Sequence, residues 1–292
     1  MTHSKVSRAF RNELTLPQKI VNWIFLAIIF LLMIIPMLNV LAVSLSTSYD
    51  SMSPGITLIP KTFSVEGYTT IWTARNLSTA FYNSLFVSLV ATFIQVLLSS
   101  MAGYVLIQRD LPFKGFIASI ILFTMMIPGD LTLISMFSLN KKLGLLNSYA
   151  GLIINGLVSG FSIMLMRNYF LSVPESLAES ARMDNASEMR VFTSIYIPLS
   201  LPGLASITFL EFIGKWNSLM VPITIITDSR LYTLPIVLRQ ITASNDGVSG
   251  QMYIAPNAQM AAIVITILPL ILLYTVAQRF LIGGLTVGAA KG

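Results

Sequence analysis

Six apolar stretches, each long enough or nearly so to cross the roughly 30 Å hydrocarbon core of a bilayer as a helix, constrain this chain more than any other feature. They run approximately from Val21 to Leu45, Phe86 to Leu106, Phe116 to Phe137, Tyr149 to Met166, Leu204 to Ile226 and Pro256 to Ala277. Inside lipid no water satisfies the backbone, so only helices and closed barrels can span, and unbroken apolar runs of this length favour helices over alternating strands. The sequence therefore predicts an all-α, polytopic membrane protein with six transmembrane helices. Composition agrees: 10% of the 292 residues are charged and 55% are hydrophobic, whereas a soluble domain usually carries about a quarter charged residues.

Several kinds of chemistry fall away at once. Cysteine is absent and the single histidine is His3, which removes disulfide frameworks, thiolate metal sites and histidine metal clusters. The net charge of +6 does not point to nucleic acid, because the bases are scattered among apolar runs with no basic, aromatic-interleaved helix. No Gly-rich Lys-Ser or Lys-Thr phosphate loop occurs, so the chain is not expected to bind ATP itself.

The charges report topology instead. With the amino terminus inside, eleven Lys and Arg residues fall on the inner side: Lys5, Arg8, Arg11, Lys19, Arg109, Lys114, Arg167, Arg182, Arg190, Arg279 and Lys291. Six fall outside: Lys61, Arg75, Lys141, Lys142, Arg230 and Arg239. This asymmetry places both termini in the cytoplasm. The first apolar run is too long for a signal peptide and lacks a small-residue cleavage site, so it is expected to remain. The expected organisation is a tail over residues 1–19, a transmembrane domain over 20–282 and a tail over 283–292, without internal repeats. Two long outer segments, about 46–85 and 227–255, carry Tyr68, Trp72 and Tyr232 and serve as connectors or as a contact surface.

One segment breaks the apolar pattern. "ESLAESARMDNASEMR", residues 175–190, holds six of the 30 charged residues in 16 positions, and falls in the longest inner loop, about 170–200. Ser172 and Glu175 have the spacing of a capping box, and Pro174 suits a first helical turn. Glu175, Glu179 and Arg182 put charge on this helix, with Glu179 and Arg182 at i,i+3, beside apolar Leu177, Ala178, Ala181 and Met183. Asp184 and Asn185 then interrupt it, Asn being tolerant of the left-handed conformation, and a second amphipathic piece runs to Ile197-Pro198-Leu199. Two short helices should form an elbow at the membrane face, with a mixed surface suited to a soluble partner.

"VPESLAESARMDNASEMRVFTSIYIPLSLPG" resembles the EAA loop of ABC importer permeases, specifically the carbohydrate-uptake, maltose-type branch. Glu179, Ala181, Asp184, Ala186, Ser187, Pro198 and Leu199 match that pattern, while Ser180 and Asn185 replace its usual Ala and Gly. "NSLFVSLVATFIQ", "KLGLLNSYAGLII", "WNSLMVP", "LYTLPIVL" and "QRFLIGGLTVGAAKG" extend the likeness over most of residues 60–292. The amino-terminal third looks most like permeases for complex or acidic saccharides, including the alginate type. The resemblance implies a type I importer permease in a bacterial cytoplasmic membrane, transporting rather than catalysing. Partners would be a second permease subunit, an ATPase dimer carrying ATP and Mg, an extracytoplasmic solute-binding protein, a carbohydrate substrate and lipid. Glu175, Glu179, Ser180, Ala181, Asp184, Asn185 and Ala186 would then couple the membrane helices to the ATPase. The carboxy-terminal tail would lie near that ATPase.

Within the spans, Glu211 and Lys215 stand four apart, where a lone charge costs about 2.5–3.5 kcal/mol on insertion scales. Either they pair with each other or they line a path, together with Trp216 and Asn217, whose aromatic face and amide suit a sugar. Asp130 follows Pro128-Gly129, where the third span should break. Gly283, Gly284, Gly288 and Gly292 predict an extended rather than helical tail. Two rivals remain at the level of residues. One is an ABC permease for another solute, such as a polyamine or phosphonate. The other is an ion-driven transporter acting alone, which would want a paired acidic site that Glu211 beside Lys215 does not supply. A membrane enzyme lacks any acid–base or metal cluster in the spans.

Overall fold

A computed structural model describes residues 15–73, 76–243 and 253–289. Its helices in chain order are α1 (Leu16–Ser44), α2 (Ser48–Ser51), α3 (Glu66–Thr73), α4 (Leu77–Val105), α5 (Lys114–Met125), α6 (Leu133–Lys142), α7 (Tyr149–Ile154) and α8 (Gly160–Leu171). There follow α9 (Glu175–Met183), α10 (Glu188–Val191), α11 (Ile197–Leu199), α12 (Leu201–Trp216), α13 (Met220–Ile225), α14 (Leu234–Ala243) and α15 (Pro256–Ala289). Among the described residues the only β feature is an isolated bridge between Ser46 and Phe63. The fold is all-α.

Three helices, α1, α4 and α15, are by themselves long and apolar enough to cross a membrane. The other three apolar runs are helical but divided: the break in the third falls at Pro128-Gly129, where the sequence predicts it, whereas those in the fourth and fifth were not expected. In the third, α5 stops at Met125 and a 3-10 turn over Gly129–Thr132 precedes α6. Pro128 explains the stop, because it has no N–H to donate and disfavours helix in the residue before it. The side chain of Asp130 lies outside the described residues. The fourth run divides between α7 and α8, where Gly156 adopts φ +80° and Ser159 caps the new helix by accepting from Ser162 N–H. The fifth divides at Asn217, between α12 and α13. Hydropathy counts apolar residues and is blind to these interruptions.

Of the described residues, 15–69 together with 255–264 form one compact unit, and those of 70–254 with 265–289 form a second. In the first, the ends of the helices are tied by polar bonds. Ser44 Oγ lies 2.8 Å from the Tyr68 hydroxyl, Ser48 N–H and Oγ donate to Glu66 at 3.2 and 3.0 Å, and buried Asn257 donates to Ser46 C=O at 3.1 Å.

The second unit is built around α4, which packs on α8 and α12. A Cβ added at Gly103 would stand 3.0 Å from Arg167 N and Met166 Cβ, so glycine lets α4 and α8 approach closely, as small residues do between membrane helices. At one end of α4, Asn83 donates to the carbonyls of Arg230 and Tyr232, both at 2.9 Å, and Ser84 Oγ accepts from Leu234 N–H at 2.7 Å. These bonds seat residues 230–234, which lead into α14. At the other end of α4, Tyr104 joins Met166, Phe170, Ala178, Val191, Phe192, Tyr196 and Ile207 in a buried cluster.

α15 continues through Ala289, where its glycines predict an extended tail. Glycine in a helix costs about 1 kcal/mol relative to alanine, a sum that an established helix can absorb because propagation is far easier than nucleation. Gly292 lies outside the described residues, as do the side chains beyond Phe280.

Candidate functional site: a charged elbow and a polar cavity

The elbow begins where α8 ends. Ser172 is the carboxy-terminal cap of α8 and its hydroxyl donates to Tyr169 C=O at 2.6 Å. The expected capping box therefore does not form: Pro174 occupies the cap position, and Glu175 is drawn away to Arg109. α9 is strongly two-faced. Ala178 is fully buried and Ala181 and Ala186 pack partly against the aromatic cluster, while Glu175, Glu179, Ser180, Asp184 and Asn185 are exposed. The small alanines bring the helix close to Tyr104 and Phe170. On the outer face Leu177, Met183 and Met189 are also exposed, Met183 by 84%, so the surface mixes acid with large apolar groups. The turn after α9 follows the sequence expectation, because Asn185 takes φ +58°, a left-handed conformation that Asn accepts more readily than most residues. α10 then starts at Glu188, capped by Ser187, and runs through a π-helical segment over Phe192–Tyr196. The stretch Glu188–Leu199 meets α12 at 81°.

Two ionic clamps fasten this elbow to α4. Arg182 donates to Glu188 from Nε at 2.7 Å and from a terminal nitrogen at 3.1 Å, and reaches Gln108 Oε1 at 3.2 Å. The Tyr104 hydroxyl donates to the same Glu188 carboxylate at 2.5 Å. Hydrogen bonding to Glu188 holds the Arg182 guanidinium above its ordinary range, so it stays charged. In the second clamp Arg109, just beyond α4, donates to Glu175 and stands 3.8 Å from Glu179. That pair is largely solvated and contributes at most about 1 kcal/mol. The expected Glu179–Arg182 pair is thus replaced, since each residue faces a better-placed partner. A cleft of about 530 Å³ opens between these groups.

A cavity of about 300 Å³ lies among α4, α12 and the break between α7 and α8. Its polar lining includes Ser84, Ser88, Asn155, Glu211, Lys215 and Thr233. Lys215 Nζ donates to Gly156 C=O at 2.6 Å, and Ser162 Oγ donates to Glu211. Glu211 and Lys215 therefore do not form the mutual salt bridge that their spacing allows, because the interrupted fourth span offers each a separate partner. Trp216 is fully buried; its ring stacks on Phe212 at 5.7 Å, meets Phe81 edge-on at 5.8 Å, and its indole donates to Thr266 C=O at 3.1 Å. Asn217 closes the end of α12 and is exposed. Of the four path candidates, the structure brings Glu211 and Lys215 onto the cavity and leaves Trp216 and Asn217 off it. Sequence reasoning passed over Tyr104, Gln108, Arg109, Glu188 and Thr233. A lone arginine in a short inner loop was the available signal for Arg109.

The chain is thus a helical membrane scaffold with divided spans and a charged elbow seated on its central helix. The chain belongs to the family described as the binding-protein-dependent transport system inner membrane component, which it matches over residues 95–286. It is 32% identical to the polygalacturonan/rhamnogalacturonan transport system permease protein of Bacillus subtilis (strain 168), over 92% of this chain and 96% of that one. It is 33% identical to the arabinooligosaccharides transport system permease protein of Halalkalibacterium halodurans, over 94% and 98%. Its fold matches a chain in the crystal structure of a bacterial ABC transporter involved in import of the acidic polysaccharide alginate, with TM-score 0.82, 26% identity and coverage of 90% and 96%. The chain is a multi-pass membrane protein of the type I importer permease fold.

Proposed function

We propose that this chain is one of two membrane-spanning subunits of an ATP-driven importer for an oligosaccharide, with α9 and α10 as the element that couples it to a separate ATPase dimer. One observation carries this reading: the exposed acidic face of α9 is joined to α4 through Arg109 and through the Arg182–Glu188–Tyr104 network. A pull on α9 would reach the central helix directly, and through α10 and the 81° bend it would reach α12. Glu175, Glu179, Ser180, Asp184 and Asn185 form the contact surface; Ala178, Ala181 and Ala186 seat it. ATP and Mg belong to the partner. An extracytoplasmic solute-binding protein delivers the sugar. Both termini lie in the cytoplasm, a reading supported by the distribution of Lys and Arg. The carbohydrate assignment is supported by the relatives named above, which are described as transporting polygalacturonan/rhamnogalacturonan and arabinooligosaccharides, and by the alginate importer.

The test is co-purification of the complex followed by its ATPase activity against a saccharide panel with binding protein present. Glu179→Lys or Asp184→Arg is expected to abolish uptake while leaving membrane insertion intact. Uptake at the wild-type rate in both variants would refute coupling through this surface. Stimulation by a polyamine or phosphonate, and by no saccharide, would reassign the solute.

A further inference from the structure

We propose that the cavity bounded by Ser84, Ser88, Glu211, Lys215 and Thr233 is a subsite that holds one sugar unit by its hydroxyl groups, so that this subunit itself handles the solute. The inference rests on the importer reading above and adds to it where the solute sits. Its groups are of complementary kinds. Lys215 uses one donor on Gly156 C=O and has two more, since an ammonium carries three. Glu211, one turn away on α12, accepts from Ser162 through one oxygen and keeps the other for a second donor.

Thr233 lines the same cavity, is 4% exposed, and its hydroxyl has no partner among the described residues. A buried hydroxyl left unpaired is unfavourable, more so away from water, and a ligand that bonds it removes that cost. Ser88 is 1% exposed on the adjoining face of α4. Donor-only ammonium, acceptor-only carboxylate and amphoteric hydroxyls within one space match a ligand whose own hydroxyls both donate and accept. Apolar parts of the wall, among them Val87, Leu152 and Val221, suit the C–H faces of a ring. A volume of about 300 Å³ is at the small end of ligand sites. It fits a single unit of a chain, not an extended oligosaccharide.

Gly214 supplies a clean probe. It lines the same cavity, and a Cβ there would meet nothing within 4 Å, so a side chain can start from this position without a clash at its first carbon. The experiment uses the whole complex in proteoliposomes: this chain, its second permease, the ATPase dimer and the binding protein. The probes are trigalacturonate and a neutral arabinotriose, and the readout is sugar imported per ATP hydrolysed. Gly214→Phe is expected to lower that ratio about tenfold or more with binding-protein-stimulated ATP hydrolysis retained, while Gly115→Ala, outside the cavity, leaves it unchanged. Thr233→Val, which removes only the unpaired hydroxyl, is expected to lower it about fivefold, the value of one ordinary hydrogen bond, and Thr233→Ser to preserve it. A ratio within about twofold of wild type in both Gly214→Phe and Thr233→Val overturns the subsite while leaving the importer reading standing. If Gly214→Phe fails to reach the membrane, Thr233→Val decides alone. A wild-type complex that imports no saccharide of the panel overturns the carbohydrate reading and the subsite with it.

Discussion

Glu188 is the residue on which the elbow turns, because three groups from two elements converge on its carboxylate: two nitrogens of Arg182 and the hydroxyl of Tyr104. Nothing in the local sequence singles it out, since Arg182 lies six positions away and Tyr104 lies 84. Asn185 was readable, because a left-handed turn asks for Gly or Asn wherever it falls in the chain. Glu211 and Lys215 were readable as a pair of intramembrane charges but not as partners of Ser162 and Gly156, which arrive from α8 and from the break before it. A prediction belongs at this scale. Tyr104→Phe keeps every ring contact of the cluster and removes one charge-assisted hydrogen bond, so it should lower stability by about 1.5 kcal/mol. The thermal midpoint of the purified permease reads this, and an unchanged midpoint would mean that Glu188 is held by Arg182 alone.

The helices were legible where periodicity and length sufficed, as in α1, α4 and α15, and illegible where they stop. Pro128 gave some warning of one interruption; the stops at Asn155 and Asn217 gave little. At Asn155 the side chains of Asn140 and Asn155 bond each other reciprocally at 3.2 and 3.1 Å, so the break is held by a contact with α6 rather than by local propensity. The polar face of α4 was present in the sequence as Ser84, Ser88, Thr92, Gln95 and Ser99, spaced at three and four. Apolar averaging over the span concealed it. Helix packing supplies the second prediction. Gly103→Ala should destabilise the permease by about 1–3 kcal/mol, since its Cβ meets the backbone of α8, whereas Gly115→Ala, with nothing within 4 Å, should be neutral or stabilising by up to about 1 kcal/mol. Parallel denaturation of the two variants separates a packing effect from a general glycine effect. Equal shifts would remove the close-approach argument.

At the scale of the molecule the bilayer is the solvent, and α1 shows it most plainly: its most apolar window is not buried against the rest of the chain at all. Leu31→Arg, in the middle of α1, should raise the apparent free energy of membrane insertion by about 3 kcal/mol. A glycosylation-based insertion assay measures it, with Lys19→Arg as the control that should change nothing. Fold class and membrane residence followed from the sequence by itself, because the need to satisfy every backbone group in hydrocarbon leaves a long apolar run no alternative to helix. The elbow's turn at Asn185 followed too, since it depends on neighbours along the chain. The clamps on Glu188 and Glu175, the separation of Glu211 from Lys215 and the cavity at Thr233 were decided only by tertiary structure. Each requires side chains from helices far apart in sequence to meet within hydrogen-bonding distance or around one space, and one-dimensional spacing carries no record of which helices become neighbours.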